Sequence, residues 1–386
     1  MSVAQPQRLA VLDAQRGLIM VFMALDHASL FIAGQHFAEF WGIPLPDYGD
    51  AFSLFARVIS HLCAPGFFFL MGVGMHLYWS SRRARGVDER KIVRHFAVRG
   101  TILIAVDIFI ITPTWIIGSL EDFVAGKQLI EVIPGAGENI MMVTGVLAAL
   151  GAAMVFAAFF LRLGAVLNAT LGITILLVCQ AVVPEASKVF EPMTQLERIF
   201  LVAGHDGFLL VNYPILPWLS VCLLGIAYGH LVVADSERAF KLALPAGIVG
   251  LVLFVLVRGA GGFGTHHPAP GDDWMAFLTV TKYPPSVAFL LLSLGANALF
   301  MACINAARRQ LGGIGRPLMV FGRAPLFFYV VHLYLYSIVG LLIPGGTTLA
   351  GMFPVLLLGL VVLYPACKRY DVFKRGKPED SLWRLF

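Results

Sequence analysis

GLIMVFMALDHASLFIAG, Gly17 to Gly34, is a nearly unbroken apolar run with one acidic residue and one histidine, Asp26-His27, set side by side within it. Its length approaches the roughly 20 residues that an α-helix needs to cross a hydrocarbon layer. Lipid admits a spanning backbone only when every amide is bonded internally, which points to a helix. Further runs of the same kind follow at Leu54 to Trp79, Thr101 to Ile117, Ile140 to Leu161, Leu163 to Val183, Phe208 to Val233, Leu242 to Val257, Pro284 to Ala306, Leu318 to Ile343 and Leu349 to Cys367. The pattern predicts an all-α integral membrane protein, a bundle of about ten transmembrane helices forming one continuous domain over residues 1–386.

Composition supports this reading, since 59% of residues are hydrophobic and 13% are charged, against about half and a quarter in soluble domains. The net charge of +5 does not indicate a nucleic-acid partner, because the basic residues flank the apolar runs on one side of the membrane only. Placing the N-terminus in the cytoplasm puts 21 of the 28 Lys and Arg on the inside and six on the outside, with Arg323 within a run. That asymmetry predicts cytoplasmic N- and C-termini. The segment from Arg82 to Arg99 reads as a basic inner loop. The five cysteines have neither metal-site nor redox spacing and read as free core thiols, and no metal is expected. No cleavable signal peptide is visible at the N-terminus.

An ionisable side chain inside a span is costly and usually faces a partner or a cavity. Arg16 and His27 are 11 residues apart, three helical turns, so they share a face about 16 Å apart along the axis. Arg16 either pairs with Asp13 one turn away or contacts a ligand. Arg57 and His61 also share a face, towards the outer side. Arg323 is a candidate clamp for phosphate or carboxylate, and His332 is half a turn out of register with it on a continuous helix. Pro214 and Pro217, in Tyr213-Pro214-Ile215-Leu216-Pro217-Trp218, are expected to kink the sixth span. Lys282-Tyr283-Pro284-Pro285 opens the eighth. Polar groups thus run from the inner surface through mid-membrane to the outer rim.

Leu12-Asp13-Ala14-Gln15-Arg16-Gly17-Leu18 with Met23-Ala24-Leu25-Asp26-His27 resembles the first-helix motif of heparan-α-glucosaminide N-acetyltransferase-like membrane proteins. Cys63-Ala64-Pro65-Gly66-Phe67-Phe68-Phe69-Leu70-Met71-Gly72, the Tyr213 to Trp218 segment, Lys282-Tyr283-Pro284-Pro285-Ser286 and Gly322-Arg323-Ala324-Pro325-Leu326-Phe327-Phe328-Tyr329 are similar to later motifs of that family's bacterial branch. The resemblance implies a bacterial inner-membrane acyltransferase that moves acetyl from cytoplasmic acetyl-CoA to an extracytoplasmic glycan or glycolipid. Lysosomal members carry asparagine at the His27 position and a catalytic histidine further on, so His36, ahead of Trp41-Gly42, is a second candidate.

The resulting expectation is specific. His27 acts as general base or transient acyl carrier, with Asp26 orienting it and His36 and His61 as alternatives. Arg16, Arg323, Arg94 and Arg99 hold the CoA phosphates, for which planar guanidinium is suited. Arg57, Tyr213, Trp218, Lys282, Tyr283 and His332 shape the acceptor side. Membrane lipid, acetyl-CoA and the glycan or glycolipid are the expected partners, and a homodimer is left open. A lipid-linked sugar transporter or flippase, or a non-catalytic scaffold, is the competing reading.

Overall fold

The computed structural model describes residues 4–35, 39–124, 126, 142–183, 193–205, 208–313, 315–378 and 381–384. Its helices are α1 Ala4–Phe31, α2 Ala51–His61, α3 Cys63–Ala84, α4 Glu89–Val106, α5 Thr112–Gly118, α6 Leu120–Val124, α7 Val146–Ala157, α8 Ala165–Val182, α9 Gln195–Phe200, α10 Ile215–Ala234, α11 Ser236–Ala260, α12 Trp274–Leu278, α13 Val287–Ala306, α14 Arg316–Arg323, α15 Pro325–Leu341 and α16 Leu349–Arg375. A small sheet, β1 Met142–Thr144, β2 Gly204–His205 and β3 Leu209–Val211 in the order β1-β3-β2, precedes α7 and α10.

Among the described residues, seven helical segments are long and apolar enough to cross a membrane, or eight if the bent pair α14–α15 counts as one span. Helices also occupy the other two expected positions. There α1 is diluted by Asp13, Arg16, Asp26 and His27, and the apolar helix Val146–Phe160 is short. Large apolar side chains cover the outer surface, including Ile248, Val249, Val252 and Leu256 on α11 and Leu357, Leu358 and Val361 on α16. Only a lipid solvent makes that surface favourable. The chain is therefore an integral membrane protein.

The largest apolar cluster runs from Val11 to Cys367, with α1 packed against α14, α15 and α3. A second cluster gathers Phe68, Trp218 and Phe289 where α3, α10 and α13 meet.

Four local expectations are corrected. The basic stretch is not a loop, because Asp88 caps α4 by accepting from the Arg90 amide and the helix starts at Glu89. Arg94, His95 and Arg99 are therefore helical. The two prolines do not kink α10: Pro214 caps the helix and Pro217 lies in its first turn, where no amide hydrogen bond is lost. Pro284 and Pro285 precede α13, whose cap is Ser286, and the Tyr283–Pro284 peptide is cis. Arg323 and His332 do not share a helix, because α14 and α15 meet at 95° across Ala324-Pro325, so the register argument between them does not hold.

Candidate functional site

At one end of the bundle a buried ion cluster forms around Arg57 on α2. Its guanidinium grips Glu39 with two parallel bonds, Nε to Oε1 at 2.8 Å and Nη2 to Oε2 at 2.7 Å. Nη1 donates to Asp26 Oδ1 on α1 at 2.7 Å. The Tyr48 hydroxyl donates to Glu39 Oε1 at 2.7 Å. His61 Nε2 lies 3.3 Å from the same oxygen, off the hydrogen-bond axis, and among the described residues neither of its ring nitrogens has a hydrogen-bond partner. Burial pushes the Glu39 carboxyl up, but Arg57 and His61 override this and hold it well below the usual carboxylate range.

The segment carrying Glu39 is fastened from the other side. The amides of Lys282 and Tyr283 donate to the Glu39 carbonyl, and the Trp41 amide donates to the Tyr283 carbonyl at 2.9 Å. The Trp41 indole donates to the Ala203 carbonyl, and His267 Nε2 bonds the Trp41 carbonyl. Lys282 is buried with its ammonium over the Tyr283 ring, and the Tyr213 and Tyr283 hydroxyls are 3.3 Å apart. The Lys282-Tyr283-Pro284-Pro285 motif therefore positions Glu39 through its backbone as well as supplying side chains.

His27 sits near the C-terminal end of α1, four residues before Phe31, packed among Phe31, Trp115 and Tyr329. Trp115 reaches it from α5, which follows a π-helical turn at Asp107–Ile111 that resets the register of α4. The Asp107 carboxylate that opens this turn accepts from the Gly145 amide at 2.7 Å and caps α7.

The protonation pattern of His27 follows from its partners. His332 Nδ1 lies 2.8 Å from the Phe328 carbonyl, an acceptor only, so that nitrogen carries the proton. In the neutral ring His332 Nε2 then holds a lone pair, and His27 Nδ1 donates to it at 2.7 Å. This leaves His27 Nε2 as the unprotonated nitrogen, a tautomer assigned by the hydrogen-bond chain. Such an imidazole can accept a proton from a reacting group.

At the opposite end lies a cavity of about 580 Å³. Arg16, Arg99, Arg323, Lys374, Arg375 and Arg384 supply its cationic lining, and Met20, Leu70, Met71, Leu103, Leu150 and Tyr329 are among its less polar walls. Asp13, Arg16 and Met20 line it on successive turns of α1, so it deepens towards His27, seven residues or about 10 Å beyond Met20. Tyr329 belongs to both the cavity wall and the His27 surround.

Asp13 joins the two arginine motifs, bonding Arg16 Nη1 at 3.1 Å and Arg323 Nε at 3.2 Å. This convergence depends on the glycine beside each arginine. A Cβ on Gly17 would stand 1.8 Å from the Leu318 carbonyl oxygen, and one on Gly322 the same distance from that of Asp13. Only backbone-to-backbone contact lets α1 and α14 approach this closely. Gly322→Ala is expected to destabilise the protein by about 1–3 kcal/mol, read as a lower Tm in detergent, as the two arginines separate. An unchanged Tm would mean that the helices part without cost.

The structure thus gathers Asp26, Arg57, His61, Lys282, Tyr283 and Tyr213 at one end with His27 and His332 beside them, and Arg16, Arg99 and Arg323 at the other. Arg94 is exposed and does not line the cavity. Trp218 is a core residue stacked on Phe68. Asp26 is engaged by Arg57, and the hydrogen bond that orients His27 is the one it donates to His332. His36 lies outside the described residues. Sequence reasoning missed Glu39, Tyr48, Trp115, Tyr329 and Lys374. Tyr329 closed the quoted Gly322–Tyr329 motif, and Glu39 left a signal too, since a buried Arg57 calls for a carboxylate partner.

Residues 8–260 match the family described as heparan-alpha-glucosaminide N-acetyltransferase, catalytic. No curated protein matches the chain. The matched region covers about two-thirds of the 386 residues and includes Arg16, His27, Glu39, Arg57 and Arg99. The chain belongs to the heparan-alpha-glucosaminide N-acetyltransferase catalytic family, and as such is a membrane-embedded acetyltransferase.

Proposed function

We propose that this protein transfers acetyl from cytoplasmic acetyl-CoA to an amine or hydroxyl of a glycan or glycolipid on the far side of a bacterial inner membrane, with both termini cytoplasmic and ten spans. The observation that carries the reading is the Phe328–His332–His27 hydrogen-bond chain, which assigns the free lone pair to His27 Nε2 between a cationic cavity and a buried ion cluster. The cavity residues fit the donor. Arg16, Arg99, Arg323 and Lys374 hold its phosphates through charge-assisted bonds, and Met20, Leu70, Met71 and Leu103 accompany its pantetheine arm.

The acceptor nitrogen or oxygen attacks the thioester carbonyl while His27 Nε2 takes its proton. The C–S bond breaks, and the proton returns from His27 to the leaving thiolate. His332 keeps His27 in the reactive tautomer. Glu39, Arg57, Tyr213, Lys282 and Tyr283 surround the acceptor with hydrogen-bonding groups, and His61 is poised beside Glu39.

The direct test is acetyl transfer from labelled acetyl-CoA to amino-sugar and lipid-linked glycan acceptors in proteoliposomes. Movement of a glycan without covalent change would favour a transporter. Arg323→Ala is expected to weaken donor binding by roughly 1.5–3 kcal/mol, about 10- to 150-fold in Kd, measured by calorimetry. An unchanged Kd would make Arg323 a residue of packing only. Reporter fusions at Gly86 and after Phe386 are expected to read cytoplasmic, and those at Gly49 and Asp272 extracytoplasmic. A C-terminus that reads outside would overturn the topology.

A further inference from the structure

A second, smaller cavity of about 310 Å³ lies against α14 and α16. Arg323, Asp371 and Arg375 line both cavities and form the partition between them. On the smaller side the lining adds Arg316 and Lys368, giving four cations against the single carboxylate of Asp371. That carboxylate is already held by Arg375 at 3.0 and 2.6 Å, and Arg323 is bonded to Asp13. Arg316 and Lys368 have no ion pair among the described residues. The cavity therefore carries uncompensated positive charge.

Its position identifies the anion. Leu357 and Val361 on α16 are 59% and 67% exposed and belong to the apolar outer stripe of the helix. Lys368 lies two turns beyond Val361 on the same face, about 10 Å along the axis. Val372, one turn further, is 67% exposed and lines the cavity too. The stripe that faces acyl chains therefore runs directly into a cationic recess at the end of the span. Basic recesses of this kind between helices suit anionic lipid headgroups.

We propose that this recess binds the phosphate of an anionic phospholipid through Arg316 and Lys368, with the acyl chains along the Leu357–Val361 stripe. The site is separate from the donor cavity, from which the Arg323–Asp371–Arg375 partition divides it, and it does not depend on the transferase reading.

The test uses the full chain, partly delipidated and analysed by native mass spectrometry with phosphatidylglycerol and phosphatidylcholine in competition. One phosphatidylglycerol is expected to remain in preference to phosphatidylcholine. In the Arg316→Gln/Lys368→Gln variant the preference is expected to fall roughly 30-fold, at about five-fold for each basic residue near the surface. Equal retention of the two lipids by the unmodified protein would overturn the proposal, as would an undiminished preference in the variant. Displacement of the lipid by inorganic phosphate or by adenosine 3′,5′-bisphosphate would also overturn it, assigning the recess to a soluble phosphate or to the nucleotide of the donor. If the double variant does not fold, the lipid competition and these displacements on the unmodified chain still decide the matter.

Discussion

His27→Ala is expected to lower acetyl transfer by about 10²–10⁴-fold, the range that general-base catalysis contributes, while donor affinity changes little. The separation follows from geometry. Arg16, the cation on α1 that would hold the donor, lies three turns away, whereas His27 Nε2 is the ring nitrogen whose lone pair the Phe328–His332–His27 chain leaves unused. His27→Asn refines the test, because an amide can hydrogen-bond an acceptor but cannot take its proton. Retained turnover in His27→Asn would move the base to His61 or His36.

His332 provides a second handle on the same chain. His332→Gln can still accept from His27 Nδ1 through its carbonyl oxygen, whereas His332→Leu cannot. The expected order of kcat is unmodified protein, then Gln, then Leu, with KM for the donor nearly constant. If the Leu variant matches the Gln variant, His332 only fills space and the tautomer argument fails.

Arg57→Ala is expected to have the largest effect on stability. Arg57 neutralises two carboxylates, one of them, Glu39, with a side chain at 0% exposure. Removing one partner of a buried pair leaves an uncompensated charge and costs about 3–5 kcal/mol. The expected outcome is a strong loss of Tm in detergent and of folded protein in membranes. A paired replacement, Arg57→Met with Glu39→Met, removes both charges and is expected to lose markedly less, since the desolvation cost goes with them. A double variant as unstable as Arg57→Ala would show that the bidentate geometry itself, rather than charge balance, holds α1, α2 and the Glu39 segment together.

The arrangement was legible in the sequence where the cause is local. Apolar length is a property of contiguous residues, so the helical, lipid-embedded character could be read from runs such as Gly17 to Gly34, and the shared face of Arg57 and His61 from their one-turn spacing. Even there, capping changed the details: Asp88 began α4 early, and Pro214 with Pro217 opened a helix rather than bending one. Only the tertiary structure brought His27 to His332, 305 positions apart, and Arg57 to Glu39. It also turned Asp26 to Arg57 and broke the helix between Arg323 and His332. The physical reason is that lipid solvates no polar group, so each buried charge or imidazole must find its partner within the protein. Which partner it finds depends on how the helices pack, as where Gly17 and Gly322 let two backbones touch, and no periodicity along a single helix encodes that.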